Sequence, residues 1–168
     1  MNAGEMMLLL DTNVWLDYFD PWRTSHEDAF ALVDYAYAEG IGLAYFAGGL
    51  KDVYYLVGSI HKRRLRAAGK EVTESEALAC NEMAWGIVDA IRDLAIPVSL
   101  DLRTVWLARQ QKTLFFDLED GLVAAAAELA GVDFLVTNDA RLARTSTVKA
   151  YSSADMLTYL KLRVERAG

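Results

Sequence analysis

Short runs of apolar residues, most of them cut off abruptly by a polar or turn residue, alternate along this chain with stretches whose apolar positions recur every three or four residues. Met6–Leu10 is the first run and stops at Asp11. An uninterrupted run of that length suits a strand buried on both faces, as in a parallel sheet covered by helices. Asp11-Thr12-Asn13 offers capping side chains, and Val14, Trp15, Tyr18 and Phe19 follow at helical spacing until Pro21. Thr24 or Ser25 caps the next helix, whose stripe of Phe30, Leu32, Val33, Ala36 and Tyr37 runs to Gly40. Ile41–Phe46 reads as a second strand, and Leu50, Val53, Tyr54, Val57 and Ile60 predict a helix from about 49 into the mid-60s. Thr73-Glu74-Ser75-Glu76 has the form of a capping box opening a long helix to about Leu94.

Residues 96–100 form a third brief strand, in which Pro97 is tolerable only near the start or on an edge. Asp101 caps a helix to about Gln110, and 117–130 is an alanine-rich helix closed by Gly131. Residues 132–137 form a fourth strand, Asn138-Asp139 opens a short helix, 148–151 is a last strand, and a terminal helix starts near Ser152 or Ser153. Strands alternating with helices at these lengths predict one α/β domain with a parallel sheet over residues 1–168, its core at about 6–151 and a C-terminal helix at 152–168.

Composition narrows the function. The chain has 168 residues, 54% apolar and 24% charged, which excludes a disordered protein. Seventeen basic against twenty-four acidic side chains leave a net charge of −7, so bulk positive charge does not hold it to nucleic acid; a local basic patch or a metal bridge would be needed. Cys80 is the single cysteine, and His26 and His61 form no local ligand pair, so neither a disulfide nor a cysteine-based zinc cage is available. The chain reads as a reduced, cytoplasmic protein, and Met6–Leu10 is too short for a signal peptide or membrane span. Lys62, Arg63, Arg64, Arg66 and Lys70 make one segment basic, while residues 71–93 carry six acids against one base.

Two strands end in the same chemistry, Leu10-Asp11-Thr12-Asn13 and Val136-Thr137-Asn138-Asp139. Ligands of parallel α/β sheets bind outside the carboxyl ends of the strands, where strand order reverses, so Asp11 and Asp139 are placed at that edge. Helix capping explains an acid there equally simply. Asp117-Leu118-Glu119-Asp120 adds a third group: Asp117 and Asp120 share a helical face, Glu119 points elsewhere, and Gly121 with the following alanines makes a slim helix able to bring Asp120 to the sheet edge. Asp52 is a charge on an otherwise apolar stretch, with Lys51 as a competing surface partner. Carboxylates converging on one spot repel, and a divalent cation resolves the repulsion. Oxygen ligands with no histidine or thiolate nearby favour Mg²⁺ or Mn²⁺, ions that share their sphere with phosphate oxygens and lower the pKa of an attacking water.

In this order the motifs resemble the PIN domain, the metal-dependent ribonuclease fold of the toxin in VapBC-type toxin–antitoxin pairs. The resemblance spans about residues 6 to 151. It rests on Leu8-Leu9-Leu10-Asp11-Thr12-Asn13-Val14, on Asp117-Leu118-Glu119-Asp120-Gly121-Leu122 with Ala124–Ala127, and on Val136-Thr137-Asn138-Asp139 with Arg141-Leu142. It implies a three-layer α/β/α fold around a mainly parallel sheet of about five strands. It also implies a Mg²⁺- or Mn²⁺-dependent ribonuclease, a small antitoxin partner and a homodimer, with no membrane involvement. Asp11, Asp120 and Asp139 would be metal ligands, with Asp117 a close alternate. Asp52 would complete the catalytic acids where many members have glutamate, and Thr12, Asn13, Thr137 and Asn138 would orient carboxylates and water. Arg141 and Arg144, and more remotely Lys62, Arg63 and Arg64, are candidates for the RNA backbone, though a helix end placed against its own dipole accounts for the 62–70 run better. Trp15, Tyr18, Trp22, Tyr54 and Tyr55 are candidates to stack bases, though core or dimer packing explains most of them. A catalytically weak binding module, and a metal-dependent phosphatase or DNA nuclease using the same acids, stay open.

Overall fold

The computed structural model describes residues 6–115 and 117–165. In chain order the elements are β1 (Met7–Leu10), α1 (Thr12–Phe19), α2 (His26–Ala38), β2 (Gly42–Phe46), a 3₁₀ turn (Ala47–Gly49), α3 (Leu50–Ala67), α4 (Glu74–Leu94), β3 (Ile96–Val98), α5 (Leu102–Gln110), α6 (Leu118–Ala130), β4 (Phe134–Val136), α7 (Ala140–Thr145), β5 (Ala150–Tyr151) and α8 (Ser153–Glu165). Every expected element is present. The five strands lie in the order β3-β2-β1-β4-β5, and each pair is parallel.

Alternation along the central strand divides the core in two. Leu8 and Leu10 face α1, α2, α3, α4 and α8 through Val14, Trp15, Leu32, Val53, Ile91 and Met156. Leu9 faces the opposite layer, built by α6 and α7 with Val123, Ala124, Ala127 and Leu142. These are the three layers expected. The fully buried alanines of α6 bring that helix close to the sheet. A methyl group on Gly121 would meet Phe115 at an ordinary 3.5 Å, so it is the alanines, not the glycine, that the close approach requires.

Strand ends differ from expectation where side chains take over backbone bonding. Pairing in the fourth strand covers Phe134–Val136 rather than 132–137, because the Asp133 carboxylate accepts the Met7 N–H at 2.8 Å. The third strand ends at Val98, where the Thr104 hydroxyl takes the Ser99 carbonyl at 3.3 Å and turns the chain into α5. The fifth begins at Ala150, since Ser146 bonds both backbone groups of Val148. Pro97 sits on edge strand β3, and Gly131 closes α6 in the left-handed region at φ 65°, both as their chemistry demands. No described helix is long and apolar enough to cross a membrane.

The chain runs outward from β1 through β2 to β3, then returns to β4 on the other side of β1. Strand order therefore reverses between β1 and β4, the position where open α/β sheets hold ligands. Leu10 is in register with Val136, so Asp11 and Thr137 are the first residues beyond the paired ends, and the Asp11 N–H still bonds the Val136 carbonyl at 2.9 Å.

Candidate active site

Asp11 is buried at that reversal and caps α1. One carboxylate oxygen accepts the Thr12 N–H at 2.7 Å; the other accepts Asn13 Nδ2 at 2.6 Å and the Thr137 hydroxyl at 2.8 Å. Three donors favour the charged form, yet burial outweighs them and pushes Asp11 up to about 6. The nearby charges of Glu119 and Asp120 push the same way.

Asp139 caps α7 through one oxygen, which accepts the Arg141 and Leu142 N–H groups at 2.7 and 3.2 Å. Asp117 caps α6 by accepting the Asp120 N–H at 3.0 Å. Capping is thus real at three of the candidate acids. It does not account for Asp120, whose buried Oδ2 has no hydrogen-bond partner and lies 3.9 Å from Arg141 Nη2. The same Nη2 lies 3.9 Å from Asp139 Oδ2, so one guanidinium bridges the ends of α6 and β4. Burial raises the Asp120 carboxyl first, then the charges of Asp117 and Asp139, with Arg141 offsetting part of the rise.

The turn before α3, which carries Asp52, packs tightly against the start of α1: a Cβ on Gly49 would come 2.5 Å from Thr12 Oγ1. Lys51 pairs with Asp52 at 3.3 Å, as the competing reading expected, and the carboxylate is only partly exposed. Glu119 corrects the sequence reading, which turned it away from the other acids. Its carboxyl is raised by burial, then by the charges of Asp52, Asp117 and Asp120, so it links the α3 acid to the α6 acids. Helical geometry places Glu119 off the Asp117–Asp120 face, and only the position of α3 turns that second face into part of the site.

Asp17 is a functional-looking residue that sequence reasoning missed. It is 3% exposed, accepts Asn138 Nδ2 at 2.6 Å and Arg23 Nε at 2.5 Å, and its own carbonyl contacts His26 Nδ1 at 2.8 Å. Asn138 also accepts the Ser153 N–H at 2.9 Å and donates its backbone N–H to Asn13 at 3.1 Å. Asn138 therefore orients Asp17 rather than the acids at the strand ends, whereas Asn13 and Thr137 hold Asp11 directly. The available signal was a carboxylate inside the apolar α1, four residues after Asn13 and so on the same face.

The basic candidates separate. Arg141 stands among the acids, and Arg144 lies exposed on the same short helix. Arg64 is committed elsewhere, to Asp20 at 2.7 Å and to the face of Trp22 at 4.7 Å. Lys62 and Arg63 share its end of α3, roughly 15 Å along the helix axis from Asp52. Of the aromatic candidates, Trp15 is 2% exposed, and Tyr18 packs against Trp15, Phe19 and Phe30, so neither is available to a base. Tyr54 packs between Tyr55 and Trp85. Trp22 and Tyr55 remain exposed.

Among the described residues no three carboxylate, imidazole or thiol groups stand together closely enough to hold a metal ion between them. The donor chemistry nonetheless suits a hard ion, which takes oxygen ligands and keeps several of its waters between itself and the carboxylates around it. All the candidate donors are oxygens, one buried oxygen of Asp120 accepts no hydrogen bond, and burial opposes ionisation at Asp11 and Asp120.

A sequence model of the PIN domain matches residues 7–141. Among solved structures, the chain resembles VapBC2 from Rickettsia felis, crystallised with a DNA fragment from its promoter (16% identity, 88% of this chain and 98% of that one, TM-score 0.60). It also resembles VapC20 from Mycobacterium tuberculosis, described as a toxin cleaving the sarcin–ricin loop (13% identity, 84% and 97%, TM-score 0.59), and PAE2754 from Pyrobaculum aerophilum (18% identity, 95% and 98%, TM-score 0.58). These likenesses extend over the fold. No curated protein sequence matches significantly.

Proposed function

The chain belongs to the PIN domain family, and from that premise we propose that it is a divalent-metal-dependent endoribonuclease, the toxin of a toxin–antitoxin pair. The observation that carries this reading is the buried oxygen of Asp120 that accepts no hydrogen bond, together with the desolvated carboxyl of Asp11 at the reversal of strand order. Asp11, Asp120 and Asp139 would hold Mg²⁺ or Mn²⁺, with Asp117 an alternate ligand and Asp52 assisting. Bound there, the ion would supply a water of lowered pKa and neutralise charge on the leaving oxygen. Asn13 and Thr137 keep one Asp11 oxygen fixed, so that carboxylate meets an ion without rearranging. Arg141 places positive charge between Asp120 and Asp139, where a phosphodiester oxygen would otherwise meet only acids.

Partner binding has two supports. VapBC2 was crystallised as a complex, and here an apolar cleft of about 220 Å³ between α1, α3 and α4, lined by Leu16, Phe19, Val57, Ile60 and Met83, has the character of a peptide-binding groove. The exposed Leu102, Val105 and Trp106 of α5 form a stripe suited to a homodimer.

Incubating the purified protein with total RNA tests the chemistry: fragments should appear with Mn²⁺, vanish with EDTA and be absent for Asp120→Ala. RNA left intact by the parent in Mn²⁺ would refute the reading. A second reading, a binding module with a weakened site, draws support from the Lys51–Asp52 pair. It predicts no saturable Mn²⁺ uptake in a calorimetric titration.

A further inference from the structure

Next to the acids lies an open cavity of about 490 Å³ that the proposed chemistry does not use. Asn13, Asn138 and Asp139 form the side shared with the acids; Trp22, Arg23, Thr24 and Ser25, the turn from α1 to α2, form the other. We propose that this cavity is a subsite for one unpaired nucleobase of the substrate RNA, with the Trp22 indole as its stacking surface and the Arg23 guanidinium holding the adjoining phosphate. The inference rests on the ribonuclease reading and deepens it.

Trp22 is 77% exposed, yet it is braced. Its backbone N–H donates to Asp20 Oδ1 at 3.2 Å, the other Asp20 oxygen holds Arg64 at 2.7 Å, and that guanidinium sits 4.7 Å from the indole centroid. An exposed aromatic ring on a hydrogen-bonded turn, backed by a guanidinium, is a preorganised platform, and every base has a face to lay on it. Arg64 thereby becomes a positioning residue for Trp22 rather than a backbone contact.

Arg23 is anchored from behind. Its Nε–H is taken by the buried Asp17, which Asn138 ties to the end of β4, and the side chain makes no other hydrogen bond among the described residues. A partly exposed guanidinium in an otherwise acidic surrounding is where a phosphate would settle, because its fork matches phosphate oxygens. Ser25 stands at the N-cap of α2 without using its hydroxyl for the cap, leaving that group for a base edge. The volume lies within the range of pockets that enclose one small ligand.

The test is anisotropy of a labelled single-stranded RNA oligonucleotide, with Ca²⁺ in place of Mg²⁺ and gels confirming that the RNA stays intact. Trp22→Ala should weaken binding about tenfold, and Trp22→Phe should stay within about twofold of the parent. Neither should change binding of an abasic ribose-phosphate chain of equal length. Arg64→Gln should cause a smaller loss, silent in the Trp22→Ala background, which a general effect on folding would not be. Trp22→Ala binding RNA as well as the parent, or losing as much on the abasic chain, overturns the subsite while the nuclease reading stands. A parent that binds no RNA overturns both.

Discussion

Asp101 and Asp11 both cap a helix, and the two carboxyls end in opposite states. Asp101 opens α5 on the surface, accepting the Arg103 and Thr104 N–H groups at 2.9 and 3.0 Å, and its carboxyl is held below the ordinary range by the Thr104 N–H and then by Arg103. Asp11 opens α1 with three donors, yet burial pushes it up to about 6. The local motif is shared, so the motif does not set the charge state; the dielectric around it does. Capping at Asp101 completes a helix. At Asp11 the same bonding holds in place a carboxylate whose ionised form needs a further positive partner.

Removing each cap should separate the two carboxyls most clearly. Asp11→Ala should cut RNA cleavage by about a hundredfold or more, and Asp101→Ala should leave it unchanged while lowering Tm slightly. Equal activities of the two variants would show that the buried cap has no part in the chemistry.

Proton competition sharpens the contrast. Because a ligand must be ionised to bind the cation, Mn²⁺ affinity followed by calorimetry should fall about fivefold between pH 6 and pH 5, the range just below the raised Asp11 value. Stability of the metal-free protein should move the other way. The folded-state value lies above the unfolded 3.8, so the contribution is full below pH 3.8 and lost as pH rises through about 6. The whole difference amounts to about 3 kcal/mol, of which about half is lost between pH 5 and pH 7.5, read as a Tm that falls across that window and recovers with Mn²⁺. A metal-free Tm that is flat across this window would contradict the desolvated state of Asp11.

Two glycine substitutions give smaller effects. Gly49→Ala places a methyl 2.5 Å from Thr12 Oγ1, between the helix that carries Asp52 and the one that Asp11 caps. It should cost about 1–2 kcal/mol in urea unfolding and weaken Mn²⁺ binding. Gly121→Ala finds room at 3.5 Å and gains helix propensity, so it should stabilise by about 0.5–1 kcal/mol without altering activity. Destabilisation by Gly121→Ala would mean that α6 lies closer to its neighbours than its packing indicates.

The comparison also explains how far the sequence could be read. Periodicity placed all the strands and helices, because unbroken apolar runs fit buried parallel strands and little else at that length. The placement of Asp11 and Asp139 at one edge was legible for a related reason: strand ends in a parallel sheet share one edge, so an acid after β1 and another after β4 are neighbours by topology. Boundaries shifted where side chains such as Asp133 and Ser146 replaced ladder bonds, a substitution that no hydrophobic pattern records.

What the sequence determined alone was the alternating order of elements and the candidate acids, since both depend on residues adjacent in the chain. Which acids share a field was decided by tertiary structure. Glu119 joined the site through the placement of α3, Asp17 through a hydrogen bond from Asn138 across 121 positions, and Trp15 left the list of accessible rings by entering the core. Charge state and exposure depend on what is packed around a group from every side, and that surrounding is assembled from segments far apart in the chain.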